Sequence, residues 1–170
     1  MKKAKLVCSV ITGKPDLFDT FQGVLIKEFG PIDLESNVFQ FNYTNYYEKE
    51  MGPNLSRKIY SFENLVDPGT IADIKLRTIA MEKELTERIE ADVDRVVNID
   101  PGYVSTFNLV LATTKDRPHR IYLRDGIYAE VTLQYIKGGF QPTPSTYPDY
   151  CLPEYGAFFD LVREELRSSK

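Results

Sequence analysis

Tryptophan is absent from the 170 residues, histidine occurs once and cysteine twice. The lone histidine, His119, excludes any mechanism that needs two, which removes the two-histidine phosphoesterases and the H-E-x-x-H metallopeptidases. Cys8 and Cys151 have no C-x-x-C spacing, so they form neither a zinc site nor a disulfide framework and read as inert thiols. No apolar run approaches the ~20 residues of a membrane span. The basic start Met1-Lys2-Lys3-Ala4-Lys5 precedes an apolar stretch of only Leu6 to Ile11, too short for a signal-peptide core and without a small-residue cleavage site behind it. It reads as a buried first strand with a solvated beginning, and the expected location is the cytoplasm. G-x-S-x-G and G-x-G-x-x-G are missing, and Gly13-Lys14 lacks the upstream glycine of a phosphate-binding P-loop. Positive charge is not in excess: 21 basic against 25 acidic side chains give −4, so a general grip on nucleic acid is not expected.

What is present is the balance of one soluble globular domain, with 42% hydrophobic, 12% aromatic and 27% charged residues. Such a chain buries a core without disulfides or metals. The 11 tyrosines hint at polar-tipped aromatic surfaces. Along the chain, Lys5 to Thr12 reads as a buried strand, and Phe18, Phe21, Leu25 and Phe29 recur at helical spacing until Gly30-Pro31 stops them. A second strand is expected over Val38 to Tyr43 and a third over Arg57 to Phe62. Asp67-Pro68 opens a helix running to about Glu90, with Asp67 as its N-cap. Arg95 to Ile99 would be a fourth strand, closed by a type II turn at Asp100-Pro101-Gly102.

This order is β-α-β-β-α-β, which predicts an α+β, ferredoxin-like sandwich over residues 1–100: an antiparallel sheet with its helices on one face. Residues 101–170 add a segment, Thr106 to Thr113, that suits strand or helix, then a hairpin, a proline-rich loop and a last helix from Pro153. The whole of 1–170 is read as one domain.

The hairpin joins strands Arg120 to Leu123 and Ile127 to Tyr135 through Arg124-Asp125-Gly126. A two-residue Asp-Gly loop sets charges opposite aliphatic residues. A three-residue loop with Gly126 left-handed instead pairs Arg120 with Glu130 and Tyr122 with Tyr128. The second register is preferred. It gathers Ile121, Leu123, Ile127, Ala129, Val131 and Leu133 on an apolar face, and Arg120, Tyr122, Tyr128, Glu130, Thr132 and Gln134 on a polar one beside His119. On the long helix, Ile71, Ile74, Thr78, Met81, Leu85 and Ile89 form the apolar stripe, and Lys75 and Glu82 project into the same sector. Taken alone, these are a snorkelling lysine and a locally bonded glutamate. Taken with the hairpin, an ionised side chain in an apolar stripe needs a partner, and Glu130, Arg120 and the turn carboxylate Asp100 are complementary. The expectation is one shared pocket.

Two further segments, Asn98 to Tyr103 and Thr146 to Tyr150, each set a carboxylate beside tyrosine, as Asp100 with Tyr103 and Asp149 with Tyr150. With Asp125 and Glu130 they could supply an all-oxygen Mg²⁺ site, although oxygen-ligand spacing is too permissive to specify one. No other cofactor is expected.

Several segments together carry a resemblance: Phe29-Gly30-Pro31-Ile32-Asp33, Tyr46-Tyr47 through Met51-Gly52, Asn98 to Tyr103, Leu109 to Lys115, Thr146 to Tyr150, and most distinctively His119 to Leu123 and Gly126 to Leu133. Across nearly its whole length the chain resembles an uncharacterised bacterial family, the domain of unknown function numbered 4416. The resemblance implies a small cytoplasmic bacterial protein and brings no activity or catalytic residues.

Two functions follow from the residues. In the first, the protein binds a small anionic or phosphorylated molecule, and it could be an enzyme acting on it. Lys115, His119 and Arg120 would hold the anion, Tyr122 and Tyr128 would pack on a ring or sugar, and Glu130 would orient Arg120 or act as general base. His119 is the one side chain with an ordinary pKa near neutrality. Lys75, Glu82, Asp100, Tyr103 and Asp149 would complete the site. In the second, the tyrosine-rich segment 43–60 is a non-catalytic surface for a protein partner. A concave gathering of His119, Arg120, Glu130 and Asp149 would favour the first.

Overall fold

The structure, a computed structural model, describes residues 3–169, so the basic start at Met1-Lys2 lies outside the described residues. Its strands are β1 (Ala4–Thr12), β2 (Ile32–Glu35), β3 (Phe39–Gln40), β4 (Ser56–Val66), β5 (Asn98–Val104), β6 (Asn108–Thr113), β7 (Ile121–Arg124), β8 (Ile127–Ile136) and β9 (Gly139–Pro142). Its helices are α1 (Phe18–Phe29), α2 (Glu48–Met51), α3 (Ile71–Arg88) and α4 (Pro153–Ser168). The class is mixed α and β. One nine-stranded antiparallel sheet runs β2–β4–β1–β5–β6–β8–β7, with β3 on β4 and β9 on β8.

Alternation along β1 decides what covers each face, because successive side chains of a strand point to opposite sides. Leu6, Cys8 and Val10 pack with Phe18, Phe21 and Leu25 of α1 and Met81 and Leu85 of α3. Val7 packs the other way, with Ile59, Val104 and the α4 residues Tyr155, Phe158, Phe159 and Val162. Helices on one face therefore describes α1 and α3 only. The expected C-terminal helix is present but covers the opposite side, its apolar stripe packing on Val7, Ile59, Val104 and Leu109. Asp67 accepts a hydrogen bond from the Gly69 N–H at 2.9 Å and caps a 3₁₀ turn, Pro68–Thr70, that leads into α3.

Other expectations are corrected. The second strand lies at Ile32–Glu35, directly after Gly30-Pro31, and Val38 to Tyr43 keeps only the two-residue β3. A four-residue strand is too short to display a period in the sequence. Asp100-Pro101-Gly102 is not a turn: β5 runs straight through it, and Cys8 lies opposite Pro101 and Val7 opposite Gly102. Glycine is needed there for closeness, since a Cβ on Gly102 would lie 2.4 Å from the Val110 carbonyl oxygen. Thr106 to Thr113, which suited either state, contains strand β6.

The hairpin closes with the two-residue loop that the face argument rejected, with Arg124 opposite Ile127, and φ is positive at both Asp125 and Gly126. That is the pattern of a type I′ turn. A bulge at Leu123 then restores the preferred pairing, with Tyr122 opposite Tyr128 and Ile121 opposite Ala129. A second bulge, between β6 and β8, moves Leu133 across the sheet into the α4 core, so it leaves the apolar face expected for it. Of that face Ile127 is buried, while Ile121, Leu123 and Val131 are exposed.

Candidate functional site

The sheet is split. β5 pairs with β6 only from Gly102 to Val104, against Leu111 to Leu109, and the ladder is not continued from Asn98 to Asp100. Two side chains of α3 supply what the missing pairing would have. Glu82 Oε1 accepts from the Ile99 N–H at 2.6 Å, and Lys75 Nζ donates to the Ile99 carbonyl at 3.1 Å and to Asp100 Oδ1 at 2.8 Å. Their place inside an apolar stripe is thereby explained, because a buried backbone N–H or C=O left bare is costly. Pro101 follows the same geometry. The Ile99 N–H points to the open side, and two residues on, the position without a donor faces the same way.

Asp100 lies opposite Ser9 and so projects to the face that α4 partly covers. There the split opens into a cavity of about 510 Å³. Asn98, Asp100, Ala112 and Thr113 line its floor, Tyr43, Tyr46 and Tyr47 one wall, the segment 113–117 another, and Tyr147 to Tyr150 a third. Hydrogen bonds join the floor into one network. Asn98 Nδ2 donates to Asp100 at 2.7 Å and Arg95 donates to Asn98 Oδ1 at 3.1 Å, while Arg95 also reaches Glu50 at 3.0 Å and Glu82 at 3.7 Å. Burial opposes ionisation of Asp100, but Lys75, Asn98 and Arg57 outweigh it and hold the carboxyl below its ordinary range. Burial likewise opposes the Lys75 charge, and Asp100 and Glu82 more than restore it. Glu82 goes the other way: burial pushes its carboxyl up to about 7 against the pull of Lys75 and the Ile99 N–H.

Arg57 and Asp149 form a buried ion pair at the end of the cavity, with the guanidinium 4.6 Å from the Phe41 ring centroid and 5.0 Å from that of Tyr150. Asp149 stands in a 3₁₀ turn, Asp149–Cys151, just before α4.

Arg120 clasps two walls together. Its Nε donates to Glu130 Oε2 at 2.7 Å, one terminal nitrogen donates to the Lys115 carbonyl at 2.9 Å, and the other donates to the Tyr147 hydroxyl. The same Glu130 oxygen lies 3.0 Å from His119 Nε2, and its other oxygen accepts from Thr132 at 3.3 Å. Glu130 is buried and the Arg120 side chain is only 2% exposed. Each nitrogen of Arg120 thus has one acceptor, which fixes the guanidinium across two walls of the cavity. Of the two roles open to Glu130, the geometry matches orientation of Arg120.

Lys115 is left over. Its ammonium lies 3.6 Å from the Tyr46 ring centroid and 5.2 Å from that of Tyr47, and among the described residues no carboxylate oxygen comes within 4.0 Å of it. Burial, with Arg120, Arg95 and Arg117 adding to it against Asp100, pulls its pKa below the ordinary value. Arg117 likewise makes no ion pair among the described residues, and donates only to the neighbouring Asp116 carbonyl.

The cavity therefore brings together Lys75, Glu82, Asp100, Lys115, Arg120, Glu130 and Asp149. His119 is attached to it through Glu130 without lining it. Tyr103 and Tyr122 do not join: they border a smaller hollow at the start of α3 with Leu123 and Ala129. Tyr128 stacks edge-on against Tyr122 at 5.3 Å and is off the cavity wall too. Arg57, Arg95 and Arg117 are site residues that no motif in the sequence marks, while Tyr46, Tyr47 and Tyr147 stand in segments the sequence marks without assigning them to this cavity. Arg57 carried a signal, a charge two residues before Ile59 on a strand face that packs inward.

Among the described residues there is no group of three or more His, Cys, Asp or Glu side chains able to hold a metal. Asp100, Asp149 and Glu130 are each tied to a cation, and Asp125 pairs with Arg124 in the hairpin turn. No helix among the described residues is long and apolar enough to cross a membrane. Residues 2–166 match the family described as Domain of unknown function (DUF4416). No curated protein and no solved structure matches the chain.

Proposed function

The chain belongs to that family, whose description carries no activity, and from the site itself we propose that the protein binds a small anionic ligand in the cavity beside the split of the sheet. The observation that carries this reading is Lys115, a half-buried ammonium among other cations, with tyrosine rings for neighbours and, among the described residues, no carboxylate oxygen within 4.0 Å. An unmatched charge of this kind is costly, and an anion in the cavity removes the cost. The volume is that of an ordinary small-molecule site. Lys115 and Arg117 grip the anion, Tyr46, Tyr47 and Tyr147 offer ring faces to its organic part, and Arg120 with Glu130 and His119 holds the walls in place. Both Glu130 oxygens being occupied, no proton transfer is assigned to it.

We read the first hundred residues as a ferredoxin-like sandwich. The antiparallel order β2–β4–β1–β5 with α1 and α3 on one face supports that reading. A cytoplasmic setting is supported by two free cysteines, one of them exposed. The alternative, a tyrosine-lined surface over 43–60 for a protein partner, keeps the exposed Tyr43 and Tyr46 but not the buried Tyr60, and Tyr43, Tyr46 and Tyr47 also line the cavity.

A thermal-shift panel of nucleotides, sugar phosphates, dicarboxylates and inorganic phosphate tests the proposal. A ligand at 100 times its dissociation constant stabilises by about 2.7 kcal/mol. At least one anion should raise the melting temperature of the wild type and not that of Lys115→Met. An equal rise in both proteins contradicts the site.

A further inference from the structure

Six basic and five acidic side chains line the cavity, and their pairing is uneven. Four acids have a cation each: Asp149 has Arg57, Asp100 has Lys75, Glu130 has Arg120 and Glu50 has Arg95. Two cations remain, Lys115 and Arg117, two positions apart on a segment whose backbone Arg120 fixes through the Lys115 carbonyl. One acid remains, Glu82. The cation within 4.0 Å of it is Arg95, at 3.7 Å and already closer to Glu50.

We propose, building on the ligand-binding reading above, that the ligand is a phosphate monoester taken as its dianion between Lys115 and Arg117, its organic part lying towards Tyr46 and Tyr147. Two leftover cations on one short segment match two negative charges on one small group. A carboxylate, a sulfate ester or a phosphate diester brings one charge and pairs with only one of the two cations, the half-buried Lys115 or the exposed Arg117. The second ionisation of a phosphate monoester lies near pH 6, so the dianion prevails at neutral pH.

Glu82 supplies a consequence that can be read separately. It faces Lys75 on its own helix, Arg95 and Asp100 on the β5 side, Glu50 beyond Arg95, and Lys115 across the same cavity. Burial already pushes its carboxyl up to about 7. Two further negative charges in the cavity push it higher, so binding near pH 7 draws a proton onto Glu82 and completes the neutralisation.

Phenyl phosphate and phenyl sulfate share a ring and a tetrahedral head and differ in charge. Titrated calorimetrically into the full chain at pH 7, phenyl phosphate should bind at least about 10-fold more tightly, which is the effect of ~1.4 kcal/mol. Lys115→Met and Arg117→Met, each checked for native circular dichroism, should both erase that preference. The binding heat should differ between two buffers of unlike ionisation enthalpy, and Glu82→Gln should bind phenyl phosphate without that difference. Equal affinity for the two esters overturns the dianion, as does binding of a carboxylate but not of phenyl phosphate; in both cases the anion site itself survives. A preference that persists in both variants places the dianion elsewhere and overturns the assignment. A binding heat independent of buffer overturns the part given to Glu82. Failure of every anion to bind removes this inference and the ligand-binding reading together.

Discussion

Glu82→Gln should make the protein more stable above neutral pH, although Glu82 is buried and hydrogen-bonded. The Gln side chain keeps an oxygen for the Ile99 N–H, now 2.6 Å from Glu82 Oε1, and Lys75 keeps Asp100 at 2.8 Å. What changes is the charge. The Glu82 carboxyl is pushed from its ordinary 4.5 up to about 7 by burial, against the pull of Lys75. Since the folded value lies above the unfolded one, the stability tied to this proton is complete below about pH 4.5 and is lost as pH rises through about 7. At about 1.4 kcal/mol per pH unit, the full loss is of the order of 3 kcal/mol. The variant escapes it, so it should be about 1–3 kcal/mol more stable than wild type at pH 8 and nearly equal to it at pH 5. For a chain of this size that is roughly 3–10 °C in melting temperature at pH 8. Thermal unfolding followed by circular dichroism from pH 5 to 9 measures it, which suits a protein without tryptophan. A variant less stable than wild type at pH 8, or a difference that does not change with pH, refutes the reasoning.

Asp149→Ala strands the buried Arg57 and should cost about 3 kcal/mol or more, most of it recovered in Arg57→Met/Asp149→Leu; urea unfolding of the three proteins checks this. Gly102→Ala should destabilise by about 2 kcal/mol or more, though alanine is ordinarily the better strand residue, because the new Cβ meets the Val110 carbonyl of the paired strand. A thiol-reactive chromophore should label one cysteine in the native protein, the exposed Cys151, and two in denaturant, since Cys8 is wholly buried and burial pushes its thiol far above the usual value.

The parts of the fold that showed in the sequence are those with room for a period. β1 shows as an apolar run buried on both sides, α1, α3 and α4 each display one apolar face over twelve or more residues, and each lies close to where the sequence places it. Lys75 and Glu82 were conspicuous for the same reason: a period makes its exceptions visible. β2 had four residues to declare itself in and did not. Asp100-Pro101-Gly102 misled because Asp100 and Pro101 lie where the ladder to β6 is not continued and Gly102 where β6 comes too close for a side chain, and those needs select the residues that also make turns. The composition there reflects the split of the sheet, which depends on α3 side chains 17 and 24 positions away from Ile99. The hairpin pairing was legible from its two faces, while its bulges were not, and the second bulge carried Leu133 to the other side. Tyr46 and Tyr47 show in the sequence only as part of a tyrosine-rich segment, because long-range packing is what brings Lys115 over the Tyr46 ring, as it brings Asp149 to Arg57.

The most direct test is the ionisation of the Lys115 ammonium, followed by NMR of the lysine Nζ or Cε with Lys115→Arg to assign the signal. In the free protein it should titrate below the ordinary 10.5, because burial and the surrounding guanidinium groups oppose its charge. On addition of the anion that stabilises the protein most, the same signal should shift and its pKa should rise, since the missing negative charge has arrived. A Lys115 signal that titrates with the surface lysines, or that ignores the anion, would contradict the account.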